Sequence, residues 1–132
     1  MTYVIELRTS TFDPAAEPPN RINPIAGRSI LEWLRQHVVP GATEPDCEDW
    51  GWYMDVAFEG ANYLIGGACV DAEADSVDQM RTWMIQIHKH RSLTDRLLGR
   101  NQMQAGDRLA AKIVAALRSD PAFVQVQGTN EA

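Results

Sequence analysis

Apolar and polar side chains alternate most regularly between Trp50 and Glu59, where Trp50, Trp52, Met54, Val56 and Phe58 interleave with Gly51, Tyr53, Asp55, Ala57 and Glu59. A period of two over that length puts one row on the buried face of a sheet and the other row on the opposite face. A turn centred on Gly60 and Ala61 is expected to return the chain as the next strand, setting Phe58 against Tyr63, Val56 against Ile65, Met54 against Gly67 and Trp52 against Cys69. Large side chains then face small ones, as an interdigitated interior requires.

Tyr3, Ile5 and Leu7 alternate in the same way and predict a first strand, and residues 123 to 127 predict a last one. Residues 81 to 90 satisfy two patterns at once: Trp83, Ile85 and Ile87 alternate, while Met80, Trp83, Met84 and Ile87 keep helical spacing. The β-branched and aromatic content favours a strand, which completes a three-stranded meander.

Helical spacing without that ambiguity occurs twice. Ile30, Leu31, Leu34 and Val38 form a stripe between Asn23-Pro24, read as N-cap and first helical residue, and the stop at Pro40-Gly41, giving a helix over 24–38. Leu109, Ile113, Val114 and Leu117 form another over 106–119, ended by Asp120-Pro121. Ser92 with Asp95, followed by Leu97, Leu98 and Gly99, predicts a short capped helical turn before it. Residues 11 to 23 hold Pro14, Pro18 and Pro19 and form a long loop of the kind that often serves function.

The resulting order, β-α-β-β-β-α-β with a short extra helical turn before the second helix, defines an α+β fold: a largely antiparallel sheet with two main helices on one face. Residues 1–128 are expected to form a single domain and 129–132 a loose C-terminal tail.

With 132 residues, 45% hydrophobic content and four Trp, the chain has the composition of a folded protein. Neither a secretory leader nor an apolar run of roughly 18 residues is recognisable, so no membrane association is expected. Cys47 and Cys69 stand in no CxxC arrangement and read as two separate thiols of a reducing compartment, which makes a cytoplasmic location the expectation.

Charge changes the picture more than composition does. Residues 1 to 80 carry 4 bases and 14 acids, residues 81 to 132 carry 8 and 4, and between Gln36 and Met80 there is no Lys or Arg. The net charge of −6 argues against general nucleic-acid binding, which gains its affinity from counterion release at basic surfaces. The acid-rich half instead offers a field that steers cations. Glu48, Asp49, Trp50, Tyr53 and Asp55 are the candidate partner-binding residues, the tryptophan as an anchor among carboxylates.

The basic half suggests a second possibility, in which His88, His90 and Arg91 grip a phosphate or another anion. No glycine-rich phosphate cradle accompanies them. His88 and His90 could share a metal, yet no third ligand stands at a recognisable spacing, so neither a metal nor any other cofactor is expected. Cys47 sits among acids that disfavour a thiolate and Cys69 in a buried strand, which leaves no good nucleophile. GxSxG, HExxH and calcium-loop patterns are absent from the sequence.

The expectation is therefore a small cytoplasmic, non-catalytic binding or regulatory protein that engages a basic protein partner through an acidic surface, for example an immunity or inhibitor-type protein. A small enzyme or ligand-binding domain built around His88 to Arg91 is the alternative. The sequence does not specify an oligomeric state.

Overall fold

A computed structural model describes residues 2–72 and 79–131. Its elements run β1 (Thr2–Thr9), a 3-10 turn (Pro14–Ala16), α1 (Arg28–His37), β2 (Asp46–Glu48), β3 (Gly51–Phe58), β4 (Ala61–Cys69), β5 (Arg81–Lys89), α2 (Leu93–Leu98), α3 (Arg108–Arg118) and β6 (Val124–Glu131). The six strands form one antiparallel sheet in the order β2-β3-β4-β5-β1-β6. The fold is α+β, in the expected order of elements, and residues 81 to 89 are strand. The additions are the 3-10 turn inside the proline loop and β2, each of three residues and so too short to leave a periodic pattern.

Alternation decides which face is buried. Ile5, Leu7, Met54, Ile65, Trp83, Ile85 and Ile87 have no exposed surface and share one cluster with Ile30, Leu31 and Leu34 of α1 and Leu109, Ile113 and Leu117 of α3. The two longer helices therefore cover the same face of the sheet. The opposite rows, with Tyr53, Leu64, Met84 and Val4, are only half-buried.

Helix α1 begins four residues later than Asn23-Pro24 suggests, and the reason lies in the backbone. The carbonyl of Ile25 accepts the Trp52 indole N–H (3.1 Å) and that of Ala26 accepts the Cys69 N–H (2.7 Å), so residues 25 and 26 are tied to the sheet before the helix starts. At Gly27, the N-cap position, a methyl group would overlap the Gly67 carbonyl, and a Cβ on Gly67 would stand 2.9 Å from the Gly27 oxygen and 3.0 Å from Leu31. Gly67 thus makes room for α1.

A glycine has no side chain with which to cap a helix. Glu17 supplies the cap from the proline loop: Oε1 accepts the N–H groups of Gly27 and Arg28 (2.9 Å each), and Oε2 accepts the N–H (2.9 Å) and hydroxyl of Ser29. The carboxylate satisfies donors that a helix start leaves unpaired and sits at the positive end of its dipole. Asn20 Nδ2 donates to the carbonyls of Glu48 and Gly51, and Asn23 Nδ2 to that of Asp49. The long loop is a clamp between α1 and the β2–β3 turn.

The β3–β4 turn also differs from expectation. Its central residues are Glu59 (φ 48°) and Gly60 (φ 80°), both left-handed, the signature of a type I′ turn whose twist suits a two-residue hairpin. Phe58 consequently pairs with Ala61, Val56 with Tyr63, Met54 with Ile65 and Trp52 with Gly67. Each partner lies two positions earlier than expected, and a shift of two leaves the side chains of β3 and β4 on the faces alternation assigns them; Trp50, in the turn before β3, instead lies across Gly66 on the opposite face. At the other end of the chain Thr129, Asn130 and Glu131 pair with Val4, Tyr3 and Thr2, so these three residues are strand, not the loose tail expected. After β4, Asp71 accepts the Thr82 N–H at 2.7 Å, and the acidic residues 73–78 lie outside the described residues.

Two substitutions test this packing by urea unfolding. Trp52→Ala, removing an indole that is 4% exposed, is expected to cost about 3–5 kcal/mol. Gly27→Ala, which drives a methyl group into the β4 backbone and puts a poorer residue at the N-cap, is expected to cost about 1–3 kcal/mol or more.

Candidate functional site

In an antiparallel pair, directly opposed residues point to the same side of the sheet. Asp46 opposes Tyr53, Glu48 opposes Gly51, and Asp55 lies two positions beyond Tyr53, so these side chains gather on the face away from α1 and α3. Asp49 and Trp50 form the turn between β2 and β3. The Trp50 ring lies across Gly66, where a Cβ would stand 2.6 Å from it, and the residue remains 37% exposed. Gly66 is the cross-strand partner of Tyr53. All five candidates, Glu48, Asp49, Trp50, Tyr53 and Asp55, thus occupy one end of this face and its bordering turn.

The charges there are uncompensated. Asp46 has Arg21 at 3.9 Å, both side chains well exposed, a contact worth little at a surface. Arg28 is engaged by Glu44 (3.0 Å) and Glu32 (3.4 Å). Among the described residues Glu48, Asp49 and Asp55 have no ion pair. The Tyr53 phenol registers this field: Asp46 above all, then partial burial, Asp55 and Glu48, push its pKa above the ordinary 10.0. The loop asparagines hold only the main chain of the acidic turn, leaving its carboxylates unencumbered by cations.

The basic segment carries fewer free cations than its sequence suggests. Lys89 points to the inner face, 3.6 Å from Asp107 and over the Tyr63 ring, and Tyr63 donates its hydroxyl to the same Asp107 Oδ1 at 2.9 Å. Asp107 Oδ2 accepts from Leu109 and Ala110 N–H and so caps α3. Its side chain is 4% exposed, a buried charge that both partners must offset. Burial, followed by the Asp107 hydrogen bond, raises the Tyr63 pKa and keeps it the donor. The Tyr63, Lys89 and Asp107 cluster escaped the sequence reading, although the spacing of Asp107 before Leu109 is an N-cap signal.

Arg91 is likewise spent on structure, donating to the carbonyls of Arg100 (3.0 Å) and Asp95 (3.4 Å). His88 lies within 3.1 Å of the Thr2 hydroxyl, and burial lowers its pKa below the ordinary 6.5. His88, His90 and Arg91 do line a common cleft of about 1060 Å³, together with Asp55, Asn62 and Arg96. Of the basic residues lining it, only His90 and Arg96 are without ion pairs or side-chain hydrogen bonds among the described residues. No group of three His, Cys, Asp or Glu side chains among the described residues is placed to hold a metal ion. Cys47 and Cys69 are separate buried thiols, and desolvation raises Cys69 to about 11, so it stays protonated.

Comparison with known proteins finds no matching family, no similar curated protein and no similar solved structure.

The lowered His88 pKa has a definite sign. The unfolded chain binds that proton more readily than the folded one, so stability drops as pH falls through about 6.5 toward the lower folded value. Urea midpoints measured on both sides of that range are expected to show this loss in the native chain and a smaller loss in His88→Asn.

Proposed function

We propose that this is a non-catalytic binding or regulatory protein whose acidic face engages a basic protein partner. One observation carries the reading: Glu48, Asp49 and Asp55 stand beside Trp50 and Tyr53 without a cation, while the chain's own basic segment directs Lys89, Arg91, Arg100 and Arg108 to other partners. Asn20 and Asn23 hold the main chain of Glu48 and Asp49, so these two carboxylates are presented from a fixed turn. Carboxylates around a partly exposed indole supply both steering charge and an apolar anchor. Neutralising a basic toxin or nuclease, as an immunity or inhibitor protein does, is one form such a function takes. A cytoplasmic location goes with this reading, because both thiols are buried apart from one another. No helix among the described residues is long and apolar enough to cross a membrane.

A second reading rests on the cleft: His90 and Arg96 line its wall unpaired and suit a small anion. It is the weaker of the two, since Asp55 shares that cleft and Lys89 and Arg91 are committed elsewhere.

The test is affinity capture from the native source followed by stopped-flow association with the captured cationic protein. Replacing Glu48, Asp49 and Asp55 by their amides is expected to leave the unfolding midpoint unchanged and to slow association by about tenfold or more. A triple variant that associates at the native rate would refute the acidic-face reading.

A further inference from the structure

Helix α2 is anomalous because it contributes no buried residue. Leu93, Leu97 and Leu98 are 75%, 78% and 64% exposed, so its apolar side chains give the fold nothing. The helix persists through polar devices instead: a reciprocal capping box between Ser92 and Asp95, a left-handed Gly99 at its end, and the Arg91 guanidinium on the Asp95 and Arg100 carbonyls. A braced turn that shows three leucines to water is the pattern of an interaction surface, not of a folding element.

Charge narrows the occupant. Arg96 has no ion pair among the described residues, Arg100 is 59% exposed beside Asp95, and His90 is exposed, so the leucines are framed by cations. They fit an apolar surface framed by carboxylates. The chain owns one in Trp50 and Tyr53 with Glu48, Asp49 and Asp55. Arg96 and Asp55 line the same cleft, so the basic knob and the acidic face are neighbours on one molecule, yet no ion pair joins them. Two complementary patches side by side are both satisfied when a two-fold axis passes between them, since each patch then meets its complement on the other copy.

We propose that the chain pairs with a second copy about such an axis, each α2 laying its leucines and Arg96 onto the other copy's Trp50, Tyr53 and Asp55. This rests on the acidic-face reading and names a partner for that same surface; a foreign basic protein then competes with self-association. An anionic membrane suits α2 less well, because a surface broad enough to reach the leucines also meets the carboxylates across the cleft. Stacking α2 against α2 would bring like charges together.

Sedimentation equilibrium of the full chain at low ionic strength tests the proposal. The native chain is expected to dimerise. Leu97→Glu, the pair Arg96→Glu with Arg100→Glu, and the triple Glu48→Lys, Asp49→Lys and Asp55→Lys are each expected to weaken the dimer about a hundredfold or more, with native melting temperatures because none of these side chains is in the core. Mixing the two charge-reversed variants is expected to restore a one-to-one dimer with an affinity within about tenfold of native. A native chain that stays monomeric, a Leu97→Glu variant that still dimerises, or folded charge-reversed variants that fail to pair overturns it. So does a monomeric chain that sediments with phosphatidylserine vesicles through α2. Absence of the dimer leaves the reading of a foreign basic partner standing, because that is measured by association kinetics with the captured protein.

Discussion

The approach of Gly27 to Gly67 is the contact on which the arrangement depends. Two backbones meet there with no side chain between them, which seats the start of α1 directly on β4. So close an approach is open only to glycine, and the polar groups it buries must all find partners. Ile25 and Ala26 carbonyls are taken by Trp52 and Cys69, and the helix N–H groups by Glu17. Because those partners lie in β3, β4 and the proline loop, one contact fixes the helix, the central hairpin and the loop together.

Seating both longer helices on one side leaves the other face of the sheet to solvent at its β2–β3 end. There the sequence places acids without bases. The physical cost is mutual repulsion, visible in the raised Tyr53 pKa, and it is accepted on a scaffold whose main chain is rigidly held by Asn20 and Asn23. On the basic side half of the cations do the opposite: Arg81, Lys89, Arg91 and Arg118 bind carbonyls or the buried Asp107 and so serve the fold.

What the sequence disclosed and concealed follows from the range of each interaction. Strands, faces and the Ser92–Asp95 box are set by neighbours a few residues apart, and these could be read directly. The hairpin register depends on the conformation of Glu59, a residue that seldom takes positive φ, so turn chemistry alone places the glycine one position too early in the turn. The Glu17 cap, the asparagine clamp and the Tyr63, Lys89 and Asp107 cluster join residues far apart in the chain, with no periodicity to announce them. For the site, alternation exposed Tyr53 and Asp55, whereas the commitment of Lys89 and Arg91 to structure was hidden because their acceptors are a distant carboxylate and backbone carbonyls.

An acidic face that engages a basic partner acts first through its field. The direct measurement is the association rate of the captured basic partner with the native chain as ionic strength is raised. If unpaired carboxylates steer the encounter, the rate falls steeply as the screening length shrinks from about 30 Å at 0.01 M to about 8 Å at 0.15 M salt. A rate that does not change over that range contradicts the account.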